Sequence, residues 1–207
     1  MVTTAYYVLL IAVALQRVLE VRVSRLNEAE LAQRGGVEHA QAQMPVMIAV
    51  HSAWLLCTLL EVWLLERPFR GLLALFAMLA FALGQTLRLL AIHQLGGRWT
   101  VKVFTVPGET PVTGGIFRYL RHPNYVGVIL EIAALPLIHG AWATALVFSV
   151  ANGVLLARRI EAEEHALAAT SDYAERFAGR PRLVPRLSAV GSRAQPASGR
   201  EPDAPTS

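Results

Sequence analysis

The chain has 207 residues, of which 54% are hydrophobic and 16% charged, whereas a soluble domain usually carries about a quarter charged residues. Its formal net charge of +4 could suit nucleic acid, but many basic residues flank apolar runs, where they set membrane topology instead. The single cysteine, Cys57, lies in an apolar run, which excludes a disulfide framework and a thiolate metal site. We therefore expect an integral membrane protein whose partner is the lipid bilayer, with no nucleic acid and no metal.

Apolar runs long enough to cross a bilayer recur in the first half of the chain. A span needs about 20 mostly apolar residues, and residues 4–23, 44–65 and 71–95 meet that length. The first run is expected to be an anchor, because no basic segment or small-residue cleavage site marks it as a signal peptide. Between the spans, residues 24–43 predict a loop with some helix, and residues 66–70 predict a tight turn.

The second half alternates polar and apolar segments. Residues 96–121 contain repeated Gly and Pro, which exclude a continuous helix but allow a short hairpin through residues 99–106. Two apolar runs follow, at residues 123–138, interrupted by Pro136, and at residues 140–157. The predicted fold is an all-α polytopic membrane bundle of about five transmembrane helices.

The end of the chain is polar. Residues 158–177 predict a polar helix that leaves the membrane. From residue 188 to residue 207 the chain is rich in Ser, Pro, Gly, Ala and Arg, a composition typical of disorder. We therefore expect one integral membrane domain over residues 1–187 and a disordered tail over residues 188–207.

Basic residues predict the orientation in the membrane. With five spans, the loops at residues 24–43 and 96–121 share one side with the C-terminal tail, and this side holds most of the Arg and Lys. The opposite loops contain only Arg67 and Arg70. The positive-inside rule then places the N-terminus outside and the C-terminus in the cytosol.

The first candidate site lies just before the fourth span. Pro123 suits the first turn of a helix, where free N–H groups and the positive helix end form an anion site. Arg118 and Arg121 add bidentate geometry for a carboxylate, and Tyr125 supplies a ring and a hydroxyl. An interfacial belt of arginine and aromatic residues explains this segment equally well.

The second candidate site follows the fifth span. Arg159 and Glu163 are four positions apart and share a face of the predicted helix. The adjacent Glu163 and Glu164 could hold a cationic group of a ligand at the membrane surface. A solvated charged face explains this segment better when it is considered alone.

Ionisable residues also occur inside the predicted spans. Arg88 and His93 lie in the third span, and Glu131 lies about two turns into the fourth. Charges at this depth are costly and usually face a polar interior. We expect Arg88 and Glu131 to form a structural ion pair rather than a catalytic one.

Two separated motifs carry a resemblance to a known family. Segment 112–125 ends in Arg-His-Pro-Asn-Tyr, and an Arg-x-x-x-Glu-Glu-x-x-Leu run follows at residues 159–167. In this order, the motifs resemble those of the isoprenylcysteine carboxyl methyltransferase family, and residues 182–185 are similar to the family's ending. The resemblance covers residues 95–187, and residues 98–103 are similar to a bacterial branch. Phospholipid methyltransferases share a related core.

The resemblance implies S-adenosyl-L-methionine as the methyl donor, in a cytosolic pocket formed by the C-terminal half. The residues expected in the cofactor pocket are His122, Asn124, Tyr125, Glu163 and Glu164. The residues expected to be catalytic are Arg121, Arg159 and Glu163. We expect His122 to suit the cofactor carboxylate, either glutamate to suit its ammonium or ribose, and either arginine to orient an acceptor carboxylate.

The expected activity is O-methylation of a lipophilic acceptor in a bacterial cytoplasmic membrane. Three acceptor classes stay open: a prenylcysteine carboxylate, a lipid headgroup, and a phenolic or pyrone lipid. A carboxylate is already ionised at neutral pH and needs no base, whereas a base would assist a phenol or an enol. The alternatives are a phospholipid N-methyltransferase-like enzyme and a non-enzymatic transporter or scaffold, and the oligomeric state stays open.

Overall fold

The computed structural model describes residues 2–184 as a helical bundle with one small sheet. Its helices are α1 (Val2–Gln33), α2 (Gln43–Leu64), α3 (Gly71–Leu95), α4 (Pro123–Leu137), α5 (Trp142–Thr170) and α6 (Tyr173–Arg176). Its strands are β1 (Val37–His39) and β2 (Val103–Thr105), which pair antiparallel with Val37 opposite Thr105. Two 3₁₀ turns, Gly96–Arg98 and Gly115–Arg118, lie in the loop between α3 and α4.

The helices have the length and the surface of a membrane protein. Helices α1, α2, α3 and α5 are long and apolar enough to cross a membrane, and α4 is a shorter apolar helix. On α3, Leu72, Phe76 and Leu79 are 70%, 61% and 58% exposed. A continuous apolar stripe of this kind would be costly in water but is stable against lipid. The predicted bundle is confirmed, with four long helices and one short apolar helix.

Helix α4 lies at the centre of the bundle. Ile132 and Leu135 are buried, and the indole of Trp54 on α2 donates to the Ile132 carbonyl across 3.1 Å. On the other side, α3 approaches α4 so closely that a Cβ built on Gly127 would lie 2.6 Å from the carbonyl oxygen of Gly84. Glycine therefore permits backbone contact between α3 and α4.

A buried ionic cluster joins α1, α3 and α4. The predicted pair is confirmed, because Arg88 Nε lies 3.2 Å from Glu131 Oε1. Arg17 of α1 also pairs with Glu131, and Glu20 Oε2 accepts from Arg88 Nη2 across 2.5 Å. Each buried charge is thus close to an opposite charge, which offsets part of the desolvation cost.

Two local predictions were wrong in their boundaries or partners. The loop at 99–106 forms no hairpin of its own, because β2 pairs with β1 from the segment after α1. The fifth span and the following polar segment form one helix of 29 residues that ends at Thr170, since Gly and Pro are absent between residues 154 and 170. Helix α1 continues to Gln33, which confirms the loop with some helix that was expected over residues 24–43. The predicted tail at 188–207 lies outside the described residues.

Candidate functional site

The N-terminus of α4 meets the polar end of α5. His122 immediately precedes α4, and Pro123 is its first residue. Nε2 of His122 lies 3.0 Å from Oε1 of Glu164. The Tyr125 hydroxyl, one turn into α4, donates to Glu163 Oε2. The two motifs are therefore in contact, although 38 to 42 positions separate the paired residues.

Arg159 connects three parts of the chain. It is buried, its Nε donates to the Tyr125 hydroxyl across 2.9 Å, and its Nη2 donates to the carbonyl of Val101. The hydroxyl of Tyr125 thus accepts from a guanidinium and donates to the Glu163 carboxylate. This arrangement fixes α4, α5 and the loop before β2 relative to one another.

Glu164 is surrounded by cations and polar hydrogens. Besides His122, it contacts Arg121 Nη1 at 3.5 Å and Arg182 Nη2 at 2.7 Å. Burial raises the pKa of the Glu164 carboxyl, but hydrogen bonds from His122 and Arg182 outweigh it and lower the pKa from 4.5 to about 2. Glu164 is therefore ionised at neutral pH and accepts hydrogen bonds without donating any.

A cavity of about 170 Å³ opens beside these residues, and we call it the polar cavity. Six of the sequence-predicted site residues are Arg121, His122, Asn124, Tyr125, Arg159 and Glu163, and all line it. Glu164, the remaining predicted residue, lies behind His122 and is not part of the lining. The other walls come from β2, the loop after it, and aromatic residues around α6.

One buried hydroxyl in the polar cavity has no partner. Tyr173 lines the cavity and is 4% exposed, yet within residues 2–184 its hydroxyl has no hydrogen bond. Burial raises the pKa of this hydroxyl, and the charges of Glu164 and Glu163 add to the effect. Tyr173 therefore keeps its proton at neutral pH and offers it as a hydrogen-bond donor.

A second, larger cavity of about 720 Å³ lies between α1, α2, α4 and α5, and we call it the inter-helix cavity. Its walls include apolar residues of α1 and α2, such as Leu26, Met47 and Leu55. The residues shared with the polar cavity are Trp99, Thr100, Asn124, Tyr125 and Arg159. The two cavities thus meet at one wall, which we call the shared wall.

The inter-helix cavity has an excess of positive charge. Five guanidinium groups line it against one carboxylate, that of Glu20; they belong to Arg17, Arg22, Arg25, Arg88 and Arg159. Arg17 and Arg88 pair with Glu20 and also with Glu131, which lies outside the cavity lining, whereas Arg22 and Arg25 have no salt bridge to any residue of the described chain. A ligand with a negatively charged group therefore suits this cavity.

Arg121 and Arg159, which the sequence offered equally as residues that orient the acceptor, differ in which cavities they line. Arg121 donates from Nε to the carbonyl of Arg180 across 2.8 Å and lines only the polar cavity. Arg159 lines both cavities. Sequence reasoning missed the shared-wall positions Trp99 and Thr100 and the contact of Arg182 with Glu164. No local pattern indicates the first two, because only the packing of the loop against α4 brings them there.

Comparisons with known proteins identify sequences that are similar to this chain. The sequence pattern of the isoprenylcysteine carboxyl methyltransferase (ICMT) family matches residues 75–169. The uncharacterised protein YpbQ of Bacillus subtilis is 35% identical over 163 residues, covering 78% of this chain and 96% of its own length. An uncharacterised protein of Haemophilus influenzae is 28% identical, covering 73% of this chain and 88% of its own length. A protein-S-isoprenylcysteine O-methyltransferase of Schizosaccharomyces pombe is 33% identical over 84 residues, 40% of this chain and 36% of its own length.

Proposed function

Because the chain belongs to the isoprenylcysteine carboxyl methyltransferase family, we propose that it is an S-adenosyl-L-methionine-dependent O-methyltransferase that acts on a lipophilic acceptor. The observation that carries the proposal is the wall shared by the polar cavity and the inter-helix cavity. A donor on one side and an acceptor on the other would meet at Asn124, Tyr125 and Arg159.

The residues of the polar cavity fit the chemical groups of the methyl donor. The carboxylate of Glu163 suits the donor's ammonium and the positive charge of its sulfonium, because it is partly exposed and lines the cavity. The positive N-terminal end of α4 suits its carboxylate. Phe117 and Phe177 supply flat apolar walls for an adenine ring, and the unpartnered Tyr173 hydroxyl can donate to one of its acceptors.

The role of each residue in binding the donor follows from which of its atoms already make hydrogen bonds within the protein. Glu164 is taken up by His122, Arg121 and Arg182, so we assign the donor's ammonium to Glu163. His122 donates a hydrogen bond from Nε2 to Glu164, which leaves Nδ1 as an acceptor when the ring is neutral. We therefore assign His122 to the ammonium side of the donor and the α4 end to its carboxylate.

The inter-helix cavity suits the acceptor. Its apolar walls on α1 and α2 match a hydrocarbon chain, and both helices expose apolar residues toward lipid, which would let an acceptor enter sideways from the bilayer. Its excess of guanidinium groups favours an ionised oxygen over an ammonium headgroup. The phosphate of a phospholipid would suit these guanidinium groups as well, so the chemistry of the labelled product separates O-methylation from the phospholipid N-methyltransferase alternative.

Methyl transfer places few chemical demands on the protein. When bound, the donor supplies an electrophilic methyl group on a positively charged sulfur. Arg159 would hold the acceptor oxygen at the shared wall, while Tyr125 and Glu163 fix Arg159 and the donor on the other side. A carboxylate acceptor attacks without a base, so alignment and exclusion of water supply most of the rate.

The membrane topology that fits this proposal places the site on the cytosolic side of the membrane. The polar cavity, the β1–β2 sheet and the polar end of α5 lie on the side where basic loop residues are concentrated. By the positive-inside rule, this side is cytosolic and the N-terminus is outside. We infer residence in a bacterial cytoplasmic membrane, where a soluble donor reaches the site from the cytosol.

The test is transfer of a radiolabelled methyl group from S-adenosyl-L-methionine into a total bacterial lipid extract by purified protein. We expect labelled lipid from the wild type, little from His122→Ala, and wild-type yield from His165→Ala, an exposed position on the same face of the membrane. Alkaline treatment then sorts acceptors, because methyl esters release methanol whereas methyl ethers and methylamines do not. Folded wild-type protein that fails to bind the donor by calorimetry would refute the proposal.

A further inference from the structure

We propose that Arg182 is a positioning residue that acts through Glu164 to hold His122 in one tautomer, with Nδ1 presented to the polar cavity. The proposal rests on the proposed function for its catalytic consequence, but the tautomer itself is a property of the protein alone. Arg182 is 60% exposed in its side chain and does not line the polar cavity, so it would act from outside the site.

The segment that carries Arg182 is tied to the start of α4. We call residues 180–182 the C-terminal strap. The backbone N–H of Arg121 donates to the Pro181 carbonyl across 3.0 Å, and that of His122 donates to the Arg182 carbonyl across 3.1 Å. Arg180 adds two hydrogen bonds from Nη1, to the carbonyls of Thr113 and Phe117. The strap is therefore held in place by contacts that do not involve the Arg182 side chain.

The Arg182 side chain donates hydrogen bonds to the Glu164 carboxylate from two nitrogens. Nε lies 3.1 Å from both carboxylate oxygens, and Nη2 lies 2.7 Å from Oε2. A planar guanidinium fork of this kind fixes the orientation of the carboxylate as well as its charge. Oε1 is thereby aimed at His122, whose Nε2 lies 3.0 Å away.

The orientation of Glu164 decides which nitrogen of His122 carries the proton. An ionised carboxylate only accepts, so the hydrogen bond requires a proton on Nε2. Nδ1 is then the free nitrogen of the neutral ring, and it lies 4.0 Å from Oε1 of Glu163. The ring also stacks on Tyr125 with centroids 5.4 Å apart, which limits its rotation. Nδ1 and Glu163 together form a pair of acceptors at the polar cavity.

This arrangement has a chemical consequence for the donor. Two neighbouring acceptors suit an ammonium group with its three N–H donors. If Arg182 releases Glu164, the carboxylate can turn, the constraint on Nε2 weakens, and His122 can place a proton on Nδ1 instead. Such a proton would face the donor's ammonium and weaken its binding, although no residue of the cavity has changed.

The experiment compares Arg182→Gln with Arg176→Gln, which removes a partly exposed arginine from an ion pair with Asp172 in the same region. The ¹⁵N spectrum of histidine-labelled protein, with His122 assigned by its loss in His122→Asn, reports the tautomer directly. S-adenosylhomocysteine affinity by calorimetry reports the consequence. We expect Arg182→Gln to populate the Nδ1–H form and to raise the Kd roughly fivefold, the size expected for loss of one partly exposed ion pair.

Arg176→Gln should leave both the His122 spectrum and the Kd at their wild-type values. Arg182→Lys should restore the affinity only in part, because an ammonium keeps the charge but lacks the fork. An Arg182→Gln protein that retains the wild-type His122 tautomer would overturn the proposal, even if its thermal stability fell. If the wild type itself fails to bind S-adenosylhomocysteine, the proposed function fails, and the spectra of the two variants still decide whether Arg182 positions His122.

Discussion

Arg159 on α5 donates a hydrogen bond to the hydroxyl of Tyr125 on α4 across 2.9 Å, and both side chains face the polar cavity and the inter-helix cavity. The hydroxyl in turn donates a second hydrogen bond to the carboxylate of Glu163. Arg159 is the charged residue of the shared wall, and Tyr125 links it to Glu163 in the polar cavity. Changes here should therefore affect methyl transfer more than they affect the rest of the fold.

Tyr125→Phe should reduce methyl transfer by about tenfold to hundredfold, because it leaves a guanidinium and a carboxylate without their shared neutral partner. The measurement is the rate of label transfer at saturating donor, with thermal unfolding in detergent as the check on folding. Tyr119→Phe removes a hydroxyl from an exposed side chain and should leave the rate unchanged. Equal rates for wild type and Tyr125→Phe would exclude the hydroxyl from the site.

Glu131→Gln should destabilise the bundle by about 3–5 kcal/mol, because it leaves buried Arg88 and half-buried Arg17 with only one carboxylate between them. Denaturant unfolding in mixed micelles measures this loss. Glu66→Gln, at an exposed turn between α2 and α3, should change the stability by less than about 0.5 kcal/mol. A Glu131→Gln protein as stable as this control would show that the ionic cluster does not hold the three helices together.

Gly127→Ala should destabilise the protein by about 1–3 kcal/mol, since the new methyl group would meet the Gly84 carbonyl at 2.6 Å and the Arg88 side chain at 2.5 Å. Gly153→Ala provides a control of opposite sign. No atom lies within 4 Å of the Cβ position at Gly153, so alanine there should stabilise α5 by about 0.5–1 kcal/mol. Unfolding of the two variants in parallel measures both effects, and destabilisation of equal size would contradict the close contact of α3 with α4.

The charge on Glu164 predicts how stability depends on pH. Its folded pKa of about 2 lies below the ordinary value of 4.5, so its contribution to stability is complete above about pH 4.5 and is lost as pH falls toward 2. The difference in unfolding free energy between wild type and Glu164→Gln should therefore be constant near neutral pH and shrink in acid. Glu175→Gln, at an exposed position of α6, should follow the wild type. If the difference in unfolding free energy between wild type and Glu164→Gln grew as the pH fell, the predicted direction of the pH dependence would be wrong.

Much of the candidate site could be predicted from short segments. Pro123 predicts a helix start, and the structure begins α4 at that residue. The spacing of Arg159 and Glu163 predicts a shared helix face, and both line the polar cavity. These predictions succeed because helix starts and i,i+4 neighbours depend only on nearby residues. The Arg88–Glu131 pair succeeded for another reason, since a charge inside an apolar span has few places to find a partner.

The sequence by itself determined the apolar helices, the loops in which basic residues concentrate and the two motifs, because each depends on composition or on residues close together in the chain. Only the tertiary structure decided that β2 pairs with β1, that Arg182 contacts Glu164, and that two cavities share a wall. Each of these is a contact between distant segments, and its partner is chosen by how the helices pack. Cavities have no sequence pattern of their own, since they are the space that packed side chains leave unfilled.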